Sequence, residues 1–304
     1  MNDFRLQVFI SVAETLSFTR ASEKLYISQP AISKHIRELE ASYGVQLFER
    51  TRSSVKLTEE GNRFYVYAID ICDKYKELEF EMSLYNKKVK GELKIGASST
   101  ISQYILPKIL SHFMNDYPDI RINLFNGNTQ QIEKMLQDHR IDLGMIEGRN
   151  GISEFNCEKF QNDEIVLVRK TRLQDEDFSA NVSSVDNISI DELKNLKLVL
   201  REDGSGTLNV INTALAEVGV ELTDLNILTN LGSTESIKHF LMETPDTYGL
   251  ISIAALHSEL MHNELQVVDV DGLSIDRELL FISLTGKRSR LSDKFKIYAK
   301  SELF

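Results

Sequence analysis

Residues 17–61 constrain this chain more than any other stretch: SFTRASEKLYISQPAISKHIRELEASYGVQLFERTRSSVKLTEEG. The pattern predicts two short amphipathic helices joined by a tight turn. Phe18, Ala21 and Leu25 line one face of the first, and small Ala21 admits a close neighbour. Ile32, Ile36 and Leu39 recur at i, i+4 and i+7 on the second, a single buried stripe. The connection through Tyr26 and Ile27 is short enough to force a sharp crossing. Ser28 suits an N-cap, where its hydroxyl accepts from an otherwise unpaired amide, and Pro30 falls in the first turn, where a missing N–H costs little. The opposite face offers Pro30, Ser33, Lys34 and Arg37, with Gln29 beside them. These residue types reach base edges and phosphates in a DNA major groove. Glu49 to Lys56 reads as a small hairpin turning at Ser53-Ser54, with Arg50, Arg52 and Lys56 able to face phosphates. A helical hairpin inside a larger core would account for the apolar stripes, and a solvated loop for Arg50 and Arg52 alone. Neither accounts for the basic outer face and the hairpin together.

The charge distribution agrees with that reading. The 304 residues carry a formal net charge of −11, which argues against nucleic-acid affinity of the chain as a whole. Residues 20–56 nevertheless hold seven Lys and Arg against four Glu, a local +3 that leaves −14 for the rest. DNA contact is therefore expected at one end, with an acidic body beyond it. No apolar run reaches the roughly 20 residues of a membrane span, and the N-terminus lacks the basic n-region of a signal peptide. Cys72 and Cys157 have no metal-ligand spacing and read as reduced thiols of a cytoplasmic protein.

From Asn62 to Lys90 the chain runs without Gly or Pro. Phe64, Ala68, Ile71, Tyr75, Leu78, Met82, Tyr85 and Val89 alternate in steps of four and three, a heptad seam on one long helix. So narrow a stripe needs a partner, most simply the same helix of a second copy. Packing on the chain's own body is the alternative.

Beyond Lys90-Gly91-Glu92, strands and helices alternate. Strands are expected at 93–97, 120–125 and 141–146, with helices at about 101–115 and 129–139 between them. A second set opens near Ile165, with strands at 196–200, 226–231 and 248–252 and helices at 208–218 and 234–243. Strands at 267–270 and 279–284 return, and a last helix begins at Leu291. The βαβ order predicts parallel sheets with right-handed crossovers in two lobes flanking a cleft, and residues 171–187 form a polar loop. Ligands of such sheets sit beyond the carboxyl ends of strands, at helix N-termini. Hydroxyl-rich sequences occupy four such places: Ser98-Ser99-Thr100, Asn128-Thr129-Gln130-Gln131, Arg201 to Thr207 and Gly232 to Glu235. The candidate effector residues are Ser98, Ser99, Thr100, Thr129, Gln130, Arg201, Ser205, Gly206, Thr207, Ser233 and Thr234. Each alone is an ordinary helix cap; three converging on one cleft would cradle a small anion. Arg201 supplies charge there unless it pairs with Glu202 or Glu235.

The chain resembles the LysR-type transcriptional regulators. The matching residues are Phe4 to Phe9, Ser17 to Ser22, Leu25, Ile27 to Ser33, Ile36 to Glu40, Leu47 to Arg50 and Leu57 to Gly61. The Arg-Glu-x-Gly-Ser-Gly-Thr stretch from Arg201 resembles the branch linked to sulfur assimilation and carbon fixation, although Leu208 stands where many relatives carry a basic residue. The resemblance implies an α/β chain in three parts: a winged helix-turn-helix (1–60), a linker and dimerisation helix (61–89) and a two-lobed effector domain like a periplasmic binding protein (90–304). Lobe one is expected at about 90–163 and 268–304, lobe two at about 164–267. The DNA-facing set becomes Thr19, Arg20, Gln29, Pro30, Ser33, Lys34, Arg37, Arg50 and Arg52, and the dimer seam Phe64, Ala68, Ile71, Tyr75, Leu78 and Met82. Expected partners are promoter DNA, RNA polymerase, further copies of the chain in an antiparallel-helix dimer or a tetramer, and a small anion: sulfite, sulfate, a sulfur metabolite or a phosphorylated metabolite. No metal, cofactor or membrane is expected. An enzyme is disfavoured, because none of the six histidines has metal-ligand spacing and no G-x-S-x-G elbow or P-loop occurs. An exported solute-binding protein and an architectural DNA-binding protein remain the rival readings.

Overall fold

The computed structural model describes residues 4–51, 54–85, 89–148, 154–171, 186–286 and 289–302. The chain divides into two compact units, Met1–Gly91 and Glu92–Phe304. The first opens with three helices, α1 (Phe4–Thr15), α2 (Phe18–Leu25) and α3 (Gln29–Tyr43), followed by the strand pair β1 (Phe48–Arg50) and β2 (Val55–Leu57). Ser17 and Ser28 cap α2 and α3, accepting from the amides of Arg20 and Ala31. Tyr26 ends α2 in the left-handed conformation at φ 55°, which turns the chain within two residues. Ile32 and Ile36 are fully buried with Phe9, Val12, Ala21 and Leu47. The antiparallel pair runs from Phe48 opposite Leu57 to Arg50 opposite Val55. Thr51 N–H donates to Ser54 O at 2.9 Å across its end; Arg52 and Ser53, expected in that turn, lie outside the described residues. Glu40, one of the four Glu in the basic stretch 20–56, is buried, and its Oε1 accepts from the amides of Leu47 and Phe48. It ties the end of α3 to the wing.

The long helix α4 (Glu59–Tyr85) starts three residues earlier than expected, with Gly61 inside its first turn. A Cβ at Gly61 would lie 2.0 Å from Leu47 O, so the close approach of helix to backbone needs glycine. The expected seam is divided. Phe64 and Ala68 pack into the core of their own unit, together with Cys72, and are not available to a second helix. Ile71, Leu78, Met82 and Tyr85 are exposed and Tyr75 is half-buried. A heptad pattern shows which positions share a stripe but not what covers it, and from Phe64 to Cys72 the stripe is covered by the core of its own unit.

The second unit begins with β3 (Gly91–Ala97), a π turn (Ile101–Ile105), α5 (Leu106–Asp116), β4 (Ile120–Asn126), α6 (Thr129–Gln137) and β5 (Leu143–Glu147). β6 (Phe155–Lys170) follows, then β7 (Asp186–Ile188), α7 (Ile190–Asn195), β8 (Lys197–Arg201), α8 (Gly206–Glu217), β9 (Ile227–Leu231), α9 (Thr234–Glu243) and β10 (Thr247–Ser252). α10 (His257–Met261), β11 (Leu265–Val270), β12 (Ile275–Leu284) and α11 (Arg290–Ser301) complete it. The strand order is β4-β3-β5-β12-β6-β10-β8-β9, with β11 on β6 and β7 on β11. Most of the expected polar loop, 172–185, lies outside the described residues.

The sheet is mixed, which corrects the all-parallel expectation. β3–β5, β8–β9 and β8–β10 are parallel, but β5–β12, β12–β6 and β6–β10 are antiparallel. β6 starts ten residues before the apolar run that announced it. Its first half, FNCEKFQND, is mostly polar, and only its pairing with β12, from Phe155 opposite Leu284 to Ile165 opposite Ile275, makes it a strand. These two long strands pass through both halves of the unit. At one end Phe155, Leu280 and Ile282 join the core of α6 and β5. At the other, Ile165 and Leu167 pack with α8 while Val168 packs with α9 on the opposite face. Successive residues of a strand point to opposite faces, and helices on both faces explain the near-continuous apolar runs of β8 and β10.

Candidate functional site

Two groups of polar residues stand out, one in each unit. In the first, α3 is exposed along the side expected to face DNA. Gln29, Pro30, Lys34 and Arg37 are exposed and Ser33 half-buried, while Ile32 and Ile36 point inward. Their contacts are local: Gln29 Nε2 donates to Ser33 Oγ at 3.0 Å, Arg37 Nε to Ser33 O at 3.2 Å, and Lys34 pairs with Glu38 at 3.8 Å. Exposed pairs of this kind hold a side chain weakly, so these groups can exchange partners for a duplex. Thr19, Arg20, Arg50 and Lys56 are exposed as well. Arg50 stacks over the Phe18 ring at 4.2 Å, which orders it. His35, on α3, is half-buried with its ring edge-on to Phe4. Tyr26, passed over in the sequence, is 95% exposed beside the start of α3. Its left-handed backbone, which only the fold reveals, aims it outward.

In the second unit the carboxyl ends of β3, β4 and β8 bring three of the four expected segments together. Ser98, Ser99, Thr100, Thr129, Arg201, Ser205 and Thr207 are all buried. Arg201 Nη1 donates to Ser99 Oγ at 2.8 Å, and its other edge forks onto Glu202, Nε to Oε2 at 2.8 Å and Nη2 to Oε1 at 3.1 Å. Of the two acids considered for Arg201, Glu202 is the partner. Asn128 Nδ2 donates to the same carboxylate at 3.3 Å, and Gln130 N–H to Gly204 O at 3.3 Å. A Cβ on Gly206 would lie 2.4 Å from Thr129 Oγ1 and 2.5 Å from Glu147 O, so α8 meets α6 and β5 only through glycine.

Ser17, Ser28, Asn128, Ser189, Ser233 and Ser289 each cap their helix by a side-chain bond. Ser205, buried at the head of α8, does not. Ser98 Oγ is buried with no hydrogen-bond partner among the described residues. Helix N-termini and free hydroxyls of this kind receive anions. In the fourth segment Thr234 is buried at the head of α9. Ser233 serves as the cap of α9, and that helix reaches the π turn through Glu235, whose carboxylate accepts from the Tyr104 hydroxyl. Burial and then this bond push the Tyr104 hydroxyl well above the ordinary tyrosine range. Lys238 lies below, paired with Glu235 at 2.8 Å and Glu259 at 2.6 Å.

Beneath the hydroxyl cluster is a network missed in the sequence. Arg277 on β12 donates from Nε to Asp163 Oδ2 at 2.7 Å and from Nη1 to Thr207 Oγ1 at 2.8 Å. Ser252 Oγ also meets Asp163, and Thr129 Oγ1 meets Glu147 Oε2 at 3.5 Å. The one available signal was an Arg alternating with Ile275 and Leu279 on an inward-facing strand. Burial opposes ionisation of Glu202, but the bonds and charge of Arg201 outweigh it and hold the carboxyl below its ordinary range.

Among the described residues no group of His, Cys, Asp or Glu is placed to hold a metal ion, and no helix is long and apolar enough to cross a membrane. Cys72 is buried in the first unit and Cys157 exposed on β6, with no disulfide between them.

Comparison with known proteins finds a family domain in each unit. Residues 4–62 match the bacterial regulatory helix-turn-helix protein, lysR family, and residues 86–303 the LysR substrate binding domain. The transcriptional regulator CysL of Bacillus subtilis (strain 168) is 31% identical over 278 residues, covering 91% of this chain and 89% of its own. The regulatory domain of CcmR from Synechocystis PCC6803, solved with 2-PG, covers 69% of this chain and 96% of its own at TM-score 0.59 and 24% identity. CbnR, solved with its target DNA, covers 99% of both chains at TM-score 0.62 and 19% identity. These two likenesses show the fold. With both family domains matched in order over nearly its whole length, the chain belongs to the LysR family of DNA-binding transcriptional regulators, in the branch that includes CysL.

Proposed function

We propose that this regulator binds promoter DNA through α3 and its wing, and that a small anion held in the cleft of the second unit gates the output. Gln29, Pro30, Ser33 and Arg37 read base edges, while Lys34, Arg50 and Tyr26 hold phosphates, with Arg52 in the same role from outside the described residues. The exposed Ile71, Leu78 and Met82 of α4 meet a second copy, so that two recognition helices address two half-sites of an inverted repeat. Assembly to a tetramer and contact with RNA polymerase follow the family pattern.

The anion reading is carried by one observation: Arg201, 3% exposed, lies between the two halves of the cleft and donates to Ser99 across it, one residue from the unpartnered Ser98 hydroxyl. Uncapped amides at the head of α8 add to the same potential. The 2-PG bound by the CcmR domain makes a small phosphorylated acid a first candidate, beside sulfite and sulfate. Binding across the cleft stabilises one arrangement of the halves, and output shifts only by the anion's differential affinity for the two states.

The test is thermal unfolding of the full chain against sulfate, sulfite, phosphate and 2-PG, followed by footprints of promoter DNA with and without any hit. A ligand of this site raises the midpoint by mass action and loses its effect in Arg201→Gln. Stabilisation that survives this substitution, or a hit that leaves the footprint unchanged, refutes the gating reading.

A further inference from the structure

We infer that Glu202 is an internal counter-anion that occupies the effector's place on Arg201 and must be displaced for an anion to bind. The inference rests on the effector reading above and specifies how that site is regulated. Arg201 has five N–H donors in a planar fork. Here one edge is spent on Ser99 and the other is filled by both carboxylate oxygens of Glu202, at 2.8 and 3.1 Å. This bidentate arrangement is the one in which a guanidinium takes a ligand carboxylate or phosphate. A second anion therefore finds the fork occupied by a like charge.

Glu202 is suited to leave. The Arg201 side chain is 3% exposed, whereas that of Glu202 is 27% exposed. It is the first residue after β8, so its carboxylate can swing toward solvent while Arg201 stays anchored to Ser99. The same carboxylate accepts from Asn128, the cap of α6, in the other half of the cleft. An anion that replaces it inherits contacts to both halves, so exchange of one anion for another alters the bridge between them. The neighbouring Asp203 and the buried Glu147 add negative charge around the cluster.

The experiment measures the Kd of inorganic phosphate by calorimetry on the full chain, its Glu202→Gln and Glu202→Asp variants, and the double variant Arg201→Gln/Glu202→Gln. Removing the competing charge in Glu202→Gln is expected to tighten phosphate binding at least tenfold, about 1.4 kcal/mol. Glu202→Asp, which withdraws the carboxylate without neutralising it, gives a smaller gain of the same sign, and the double variant loses the gain. Unchanged or weaker binding in both single variants, with binding still lost when Arg201 is replaced, overturns the counter-anion role and leaves the site standing. A gain that persists in the double variant, or no phosphate binding by any of the proteins, overturns the site and the counter-anion role together.

Discussion

The recognition helix and the effector cleft both rely on Ser and Arg side chains, to opposite ends. On α3 they are exposed and bonded to residues four positions away. In the cleft they are buried, and beside the adjacent pair of Arg201 with Glu202 their bonds reach far along the chain, Arg201 to Ser99 and Arg277 to Asp163 and Thr207. Water replaces a lost bond at the first site and cannot at the second. Substitutions on α3 should therefore change recognition without changing stability, whereas substitutions in the cleft should change both.

The strongest challenge to this contrast is Arg277→Met. It removes the cation between Asp163 and Glu147, both buried, and breaking such a pair on one side costs about 3–5 kcal/mol. Urea unfolding of the full chain should show that loss; a change below about 1 kcal/mol would mean the network is not under the strain of burial. Gly206→Ala comes next. Its methyl meets the backbone of Glu147, which cannot yield as a side-chain tip can, so a cost of about 1–3 kcal/mol and loss of anion-induced stabilisation are expected.

On the exposed side, Ser33→Ala should leave unfolding within about 0.5 kcal/mol of the parent and yet relax discrimination at one base pair by about 1–3 kcal/mol, read by competition binding with mutated operators. Lys34→Ala should weaken binding alike on every sequence and reduce the slope of log K against log salt by about 0.9. Identical behaviour of these two variants would erase the division between reading and positioning. The smallest effect concerns pH. The Glu202 carboxyl is held below its ordinary range, so its contribution is complete above the ordinary glutamate value near 4.3 and is lost as pH falls through the depressed value. Denaturant midpoints between about pH 5 and 3 should fall less steeply in Glu202→Gln; equal slopes would show that the fork adds no pH-dependent stability.

Local pattern determined much of this protein. Helix caps at Ser17 and Ser28, the stripe Ile32, Ile36 and Leu39, the wing pair and α9 at 234–243 are all set by residues within a few positions of one another. The hydroxyl-rich strand ends were legible for the same reason, because βα units place them predictably. Tertiary structure alone decided what pairs over distance. It paired the polar half of β6 with β12, buried Glu40 beneath the wing, drew Phe64 and Ala68 into the unit's own core, and set Arg277 under Thr207. It also chose Glu202 over Glu235 as the partner of Arg201. Periodicity reports which side chains share a face. What covers that face, and which charges are forced out of water together, is decided by segments that the chain brings together only when it folds.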